Sequence, residues 1–222
     1  PPYLGASRFA PPLKTFMNQF YKTAKDDLLA GFMQRARTLI ITGGAWGMVT
    51  LPNWMSILSF EKFRTGILDS QTLDTMIHLG RGLFGSDFGS VAFTFTNQEP
   101  EDNHISVFRR LFTRHVEVRS VVEIERLYLD SDYGKYETPQ KSFGRIPGHP
   151  IVYWASEGML AAFEKGTPLA EVARLRQGLA TADNERFLRQ WFEVSASRSY
   201  LTATSSEDAD ASGARWFPHN KG

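Results

Sequence analysis

The sequence predicts an α/β fold, and three observations carry that prediction. Apolar residues recur at helical spacing between 26 and 40, and a short apolar run at 46–51 has the character of a strand. Farther on, Val91, Phe93 and Phe95 alternate with Thr94 and Thr96, the two-residue period of a strand with one face buried. Helical and strand periods succeed one another along a single chain, as they do where helices pack on a sheet.

Each element follows from local chemistry. Asp26 and Asp27 put negative charge where the start of a helix is electropositive. Leu28, Phe32, Ala36 and Leu39 form the expected buried stripe of that helix, and Gly43-Gly44 ends it. Residues 46–51 are apolar on both faces, as a fully buried strand is, and Pro52 stops the run. Ser59 is placed to cap a second helix bearing Phe60, Phe63, Ile67 and Leu68. A strand near 73–79 and a glycine-rich loop at 80–90 lead into the strand at 91–96. NQEPEDN at 97–103 reads as a turn, and ISVFRRLF as a further, returning strand.

The pattern changes after about residue 113, where aromatic and Pro-Gly-punctuated stretches alternate with short helices at 157–165 and 184–193. A boundary is expected there, dividing the chain into 1–112 and 113–222. SSEDADASG at 205–213 is small, polar and acidic and reads as a mobile loop. Trp154, Trp191 and Trp216 are expected in the core more than on a nucleic-acid platform.

Composition narrows the function classes. At 222 residues the chain can form one large core or two small ones. It has no apolar run of membrane-spanning length, no signal-peptide pattern and no cysteine for disulfides or thiolate metal sites. These features fit a cytoplasmic protein without membrane contact. A net charge of +1 denies the whole chain the electropositive character of a nucleic-acid binder. Arg109, Arg110, Arg114, Arg119, Lys135, Lys141 and Arg145 fall close together, and read equally as a solvated face or as phosphate contacts. His78, His104, His115, His149 and His219 lack metal-ligand spacing, so no metal is expected. Ser56, Ser59 and Ser86 lack the setting of a nucleophilic serine.

The chain opens on Pro1-Pro2-Tyr3, followed by DDLLAGFMQRARTLI at 26–40 and WGMVTLPNW at 46–54. In that company the triplet resembles the end of the Asn-Pro-Pro-Tyr motif of amino-methylating DNA methyltransferases. FGRIPGHPIVYW at 143–154, GLATADNERFLRQWFEV at 178–194 and RWFPHNKG at 215–222 narrow the resemblance. They are similar to blocks of the adenine-specific methyltransferases of the large restriction-methylase type, above all those of BREX phage-defence systems. This resemblance implies the C-terminal half of a Rossmann-like S-adenosylmethionine-dependent methyltransferase sheet at 1–112, then a mixed α+β target-recognition region at 113–222. It implies S-adenosylmethionine (SAM) as cofactor, with double-stranded DNA and other phage-defence proteins as partners. On this reading the chain starts just after the motif Asn and after the glycine-rich SAM motif, so alone it is expected not to methylate DNA.

The resemblance also assigns roles. Pro1 supplies a backbone carbonyl that accepts a hydrogen bond from the exocyclic amine of the target adenine, with Pro2 beside it. Tyr3 stacks on the extruded base. Phe84, with Phe88 as runner-up, is the candidate for the opposite side; its alternative is a plug at the sheet edge. Glycines 80, 82, 85 and 89 suit a permissive loop there. Leu28 and Phe32 match the apolar wall around the SAM adenine, or belong to the helix core alone. Thr181, Asn184 and Arg186 are candidates for contacts to phosphate or a base edge, with Asn184 alternatively a helix N-cap. Two other readings stay open: a DNA-binding module without catalysis, and a docking module of a defence complex.

Overall fold

The computed structural model describes residues 1–85, 88–114, 117–173 and 182–219. By their contacts these form two compact units, Pro1–Gly166 and Thr167–Gly222.

The first unit is built on a five-stranded mixed sheet. Helix α1 (Pro11–Phe20) starts on two prolines, which need no partner for an N–H in the first turn. Helix α2 (Leu28–Thr38) is capped by the Asp27 carboxylate, which accepts from the Leu29 amide at 2.9 Å. A turn with Gly43 in the left-handed region leads into β1 (Ala45–Thr50). Helix α3 (Glu61–Ser70) then crosses to β2 (Thr72–Arg81), which is followed by β3 (Gly89–Thr96) and β4 (Ile105–Arg110). Helix α4 (Val121–Leu129) precedes β5 (Lys135–Pro139), and α5 spans Glu157–Lys165.

The strand order is β1-β3-β2-β4-β5. Strand β3 lies antiparallel between β1 and β2, so those two run in the same direction. The segment 105–110 returns outside β2, in parallel register from Thr75↔Val107 to His78↔Arg110, and β5 closes on it antiparallel. One face of the sheet carries the main core. There Trp46 stacks on Phe95 at 5.2 Å, and Trp54 meets Phe93 edge-on at 5.3 Å, above Leu73 and Met76. Burying each such side chain contributes roughly 2–3 kcal/mol. The opposite face holds a smaller cluster of Leu79, Leu111, Ile124 and Leu127, where α4 packs.

Four sequence expectations need correction. The buried side of α2 is Leu29, Ala30, Gly31 and Met33, while Phe32 and Leu39 face outward. Strand β1 is an edge strand with Val49 exposed, because β3 alone borders it. Ser59 does not cap α3; its N-cap position is Phe60, which makes no side-chain cap bond. The compact unit does not end near 113, since β5 extends the sheet and Phe143, Ile151 and Tyr153 join the main core.

That last block, 143–154, is fastened by a buried arginine. Arg64 on α3 donates to the carbonyls of Trp54, Ile57, Gly148 and His149, joining the chain after β1 to the Gly148-His149 turn. Gln140 plays a similar part where α3 meets β2: it donates to Leu68 and Gln71 and accepts from the Leu73 amide at 2.7 Å.

The second unit is made of short pieces: α6 (Leu169–Val172), α7 (Asn184–Phe187) and α8 (Ser206–Ala211). The expected helix at 184–193 breaks after Phe187 and resumes as a single turn at Trp191–Glu193. The tract 205–213 is a helix rather than a loop. Ser205 caps it by accepting from the Asp208 amide at 3.1 Å, and Asp208 in turn accepts from Thr204 and Tyr200.

Candidate active site

Two segments that bear candidate residues, the one leading into α2 and the one leaving β2, belong by the strand directions to the same end of the sheet. Strands β1 and β2 are parallel and end at Thr50 and Arg81, which flank the start of β3 at Gly89 to Val91. Helix α2 packs on β1 and enters it through a short turn, so its first residues lie beside the final residues of β1. The opening segment is tied to that first turn. The Leu28 amide donates to the Leu4 carbonyl at 2.9 Å, Gly5 and Asp27 form an isolated bridge, and Ala6 donates to Asp26 at 3.0 Å. Pro1 and Pro2 are exposed just ahead of this tie, and Tyr3 is 47% exposed.

Asp27 does double duty in the tie. Its carboxylate caps α2 and also accepts from the Leu4 amide, while burial holds its pKa above the ordinary 3.8 against the pull of those two bonds.

Phe84 stands just past the other strand end. Gly82, at φ +108, lies so close to the chain at Arg119 that a Cβ would collide with the Arg119 carbonyl oxygen. Arg119 itself is buried; its amide donates to Arg81 at 3.2 Å and its guanidinium to Leu79 at 2.9 Å. From this pinned base Phe84 takes φ +59 and ψ +22, a left-handed conformation that costs a bulky residue energy. Its ring is 73% exposed, and Phe88 is exposed too, so neither ring plugs the sheet edge. Ser86 and His115 lie outside the described residues.

Leu28 is half-buried and Phe32 is 44% exposed. Phe32 is therefore no core residue. The outward face of α2 presents it as apolar surface on the helix whose first turn holds the Pro1-Pro2-Tyr3 segment. A concavity between α2 and α3 and another between β5 and α5 take in none of Tyr3, Leu28, Phe32 and Phe84.

The clustered cations of 109–145 are largely spoken for. Arg109 donates to the carbonyls of Leu127, Tyr128, Asp130 and Tyr133, closing the C-terminal end of α4. Arg145 pairs with Glu157 and Glu164, whose hydrogen bonds hold its pKa well above the ordinary value. Lys135 pairs with Glu137 at 2.8 Å, and Lys141 with Asp102. Arg110 lies over the rings of Phe112 and Tyr136. Of the group, Arg114 is exposed to solvent.

In the second unit Asp183, not Asn184, caps α7, accepting from the Arg186 amide at 3.0 Å. Asn184 and Arg186 are exposed, and the Arg186 guanidinium lies 5.1 Å from the Phe187 ring centre. Thr181 lies outside the described residues. Of the three tryptophans expected in the core, Trp191 is 84% exposed, Trp154 is exposed and Trp216 is half-buried. Among the described residues no three His, Asp or Glu side chains cluster as metal ligands would, and no helix is long and apolar enough to cross a membrane.

Comparison with known proteins places these features in a family. Residues 1–84, which span the tied segment, α2, β1, α3, β2 and Phe84, match the family model described as Eco57I restriction-modification methylase. The adenine-specific methyltransferase PglX of Lacticaseibacillus casei (strain Zhang) aligns with 100% of this chain at 31% identity. The adenine-specific methyltransferase BrxX of Escherichia coli O9:H4 (strain HS) does so at 35%. Over its whole length the chain is thus similar to adenine-specific methyltransferases, and over residues 1–84 to the restriction-modification methylases. It spans 19% and 18% of the length of those two relatives. Among solved structures, the modification subunit of a putative type I restriction enzyme from Vibrio vulnificus YJ016 overlays 64% of this chain and 32% of its own. That overlay has a TM-score of 0.45 at 11% identity. The sequence likeness to PglX and BrxX reaches past the sheet into the second unit.

Two contributors to the site escape a reading of the sequence. Arg119 pins the Phe84 loop and Asp27 clamps the opening segment, yet both look like surface charges in one dimension. Asp27 gives a partial signal, an acid before an apolar helical run; Arg119 gives none.

Proposed function

We propose that this chain carries part of the catalytic machinery for transfer of a methyl group to the exocyclic amine of an adenine in duplex DNA. The observation that carries the reading is the shared sheet end of two exposed aromatics. One is Tyr3, in the backbone-tied opening segment; the other is Phe84, held strained and solvent-facing on a pinned loop.

An adenine within a duplex is out of reach, so it must be swung out and held by its faces. Tyr3 and Phe84 offer rings for the two faces, since stacking on an aromatic needs no particular base edge. Pro1 has a carbonyl and no competing N–H, and that carbonyl accepts one hydrogen of the target amine. The bond orients the amine and leaves its lone pair toward the methyl donor. SAM, when bound, supplies a methyl group already activated as a sulfonium. Leu28 and Phe32 would form an apolar wall for its adenine, which fits the exposed apolar face of α2. Asp27 acts through Leu4 and Leu28, as a positioning residue for the opening segment.

Target recognition is assigned to the second unit, where Asn184, Arg186 and Trp191 are exposed. The likeness to PglX and BrxX supports membership in a phage-defence complex.

The test is Phe84→Ala in the full-length protein that contains this chain. Methylation of a duplex site should slow by about tenfold or more, with a smaller loss where the target adenine faces a mismatch and is already loosened. Undiminished turnover on the paired duplex removes Phe84 from the site.

A further inference from the structure

A second feature lies on the flank of the sheet, away from the proposed catalytic end. The C-terminal half of α2 and the N-terminal half of α3 enclose a concavity of about 90 Å³. Its floor is Met33 and Phe63, both buried. Gln34, Arg37, Lys62 and Gly66 line it further, with Thr23 and Ile67.

Three independent details there are left without an internal explanation. The side-chain oxygen of Gln34 is buried and has no hydrogen-bond partner among the described residues, a condition that native interiors rarely leave unmet. Arg37 and Lys62 stand at the rim, and neither forms an ion pair among the described residues. The neighbouring acid, Glu61, lies instead against Gly148 and the Arg64 guanidinium. Third, Gly66 sits in mid-helix, where glycine weakens a helix relative to alanine. A Cβ at Gly66 would meet nothing within 4 Å, so the chain's own packing does not demand the glycine.

We propose that this cleft is a docking socket for an acidic peptide segment of a protein partner. The volume admits one side-chain head group and is too small for a nucleotide. A carboxylate answers Arg37 and Lys62, and when it seats, the Gln34 side chain turns its buried oxygen outward to accept a peptide N–H, which a nucleic-acid phosphate does not supply. Ordered water would satisfy Gln34, yet it calls for neither the two cations nor the open glycine. Gly66 keeps the wall low enough for the incoming side chain to seat. The socket stands independently of the methylation reading, because none of its lining residues belongs to the catalytic end.

The test uses the full chain and a fluorescein-labelled octapeptide of alternating Glu and Gly, with the Lys-Gly counterpart and a short oligo-dT as controls. The Glu peptide should bind saturably and the Lys peptide should not. The double variant Arg37→Glu/Lys62→Glu, two exposed positions, should bind about tenfold more weakly. Gly66→Met should melt no lower than the parent and still lose the peptide. The proposal is overturned by Glu-peptide binding that either variant leaves unchanged, or by none in the parent. Displacement of the peptide by oligo-dT at equal charge likewise overturns it, in favour of nucleic acid. Should Gly66→Met fail to fold, the surface double variant still decides between these outcomes.

Discussion

The amide of Leu28 donates to the carbonyl of Leu4 at 2.9 Å, and the Asp27 carboxylate accepts from the Leu4 amide, so the residues after Pro1-Pro2-Tyr3 are anchored to the first turn of α2. The tie fixes where the segment runs without committing the Tyr3 side chain. The Tyr3 ring is left exposed, and Asp27, which caps the same turn, becomes the residue through which sequence controls the tie.

Asp27 should therefore be sensitive to substitution in a way that separates shape from charge. Asp27→Ala removes the cap and is expected to cost about 1 kcal/mol in urea unfolding. Asp27→Asn keeps an acceptor at the cap and sheds the charge that burial disfavours, so at neutral pH it should be at least as stable as the parent. The sign follows from linkage. The folded-state pKa is raised, so this carboxyl stabilises most below its unfolded pKa, and that contribution is lost as pH rises through the folded value. The advantage of Asn over the parent should shrink as pH falls toward the ordinary 3.8. A constant difference between the two proteins at all pH values contradicts the assignment.

Phe84 carries backbone strain on an exposed ring, a combination that stability alone does not favour. Phe84→Gly should raise stability by up to about 1 kcal/mol, because glycine adopts the left-handed region freely while little burial is lost. The same variant in the full-length protein should methylate duplex DNA more slowly. If Phe84→Gly proves less stable than the parent, the strain is not where the φ angle locates it.

Much of this arrangement was legible in one dimension, and the failures have physical causes. The alternation of Val91, Phe93 and Phe95 located β3, and Asp27 marked the start of α2, while Gly43 lies five residues past its end at Thr38. The buried face of α2 was misread because Leu28-Phe32-Ala36-Leu39 and Leu29-Met33-Ala36 are neighbouring stripes of similar apolarity. Period alone does not say which stripe meets the sheet. Helix α8 was missed although Ser205 precedes Asp208 by three residues, the spacing of a capping pair, because the acidic composition masked it. At the site, Tyr3 was legible as part of a motif. The strain at Phe84 was not, because it arises from Gly82 pressing against Arg119, a contact the sequence does not reveal.

Trp191 tests the recognition role assigned to the second unit. At 84% exposure its replacement by Ala should leave the melting temperature unchanged, as surface substitutions generally do. Loss of one stacking platform should weaken DNA binding by the full-length protein about tenfold. An intact affinity assigns the aromatic surface of this unit to something other than DNA.

Arg64 tests whether the block 143–154 is structural. The side chain is 1% exposed and meets four backbone carbonyls and no carboxylate within hydrogen-bonding distance among the described residues. Burial lowers its pKa, with Glu61 acting against that shift, so the guanidinium is held by hydrogen bonds more than by an ion pair. Arg64→Met fills much of the volume yet strands carbonyls on both sides of the joint, and is expected to cost about 3 kcal/mol. Arg64→Lys should recover little, because one ammonium cannot span from Trp54 and Ile57 to Gly148 and His149 as the planar fork does. Limited proteolysis should then cut first near Gly148, where the turn loses its anchor, before the sheet unfolds. Unchanged urea midpoints for both variants would show that the core residues Phe143, Ile151 and Tyr153 hold the block without Arg64.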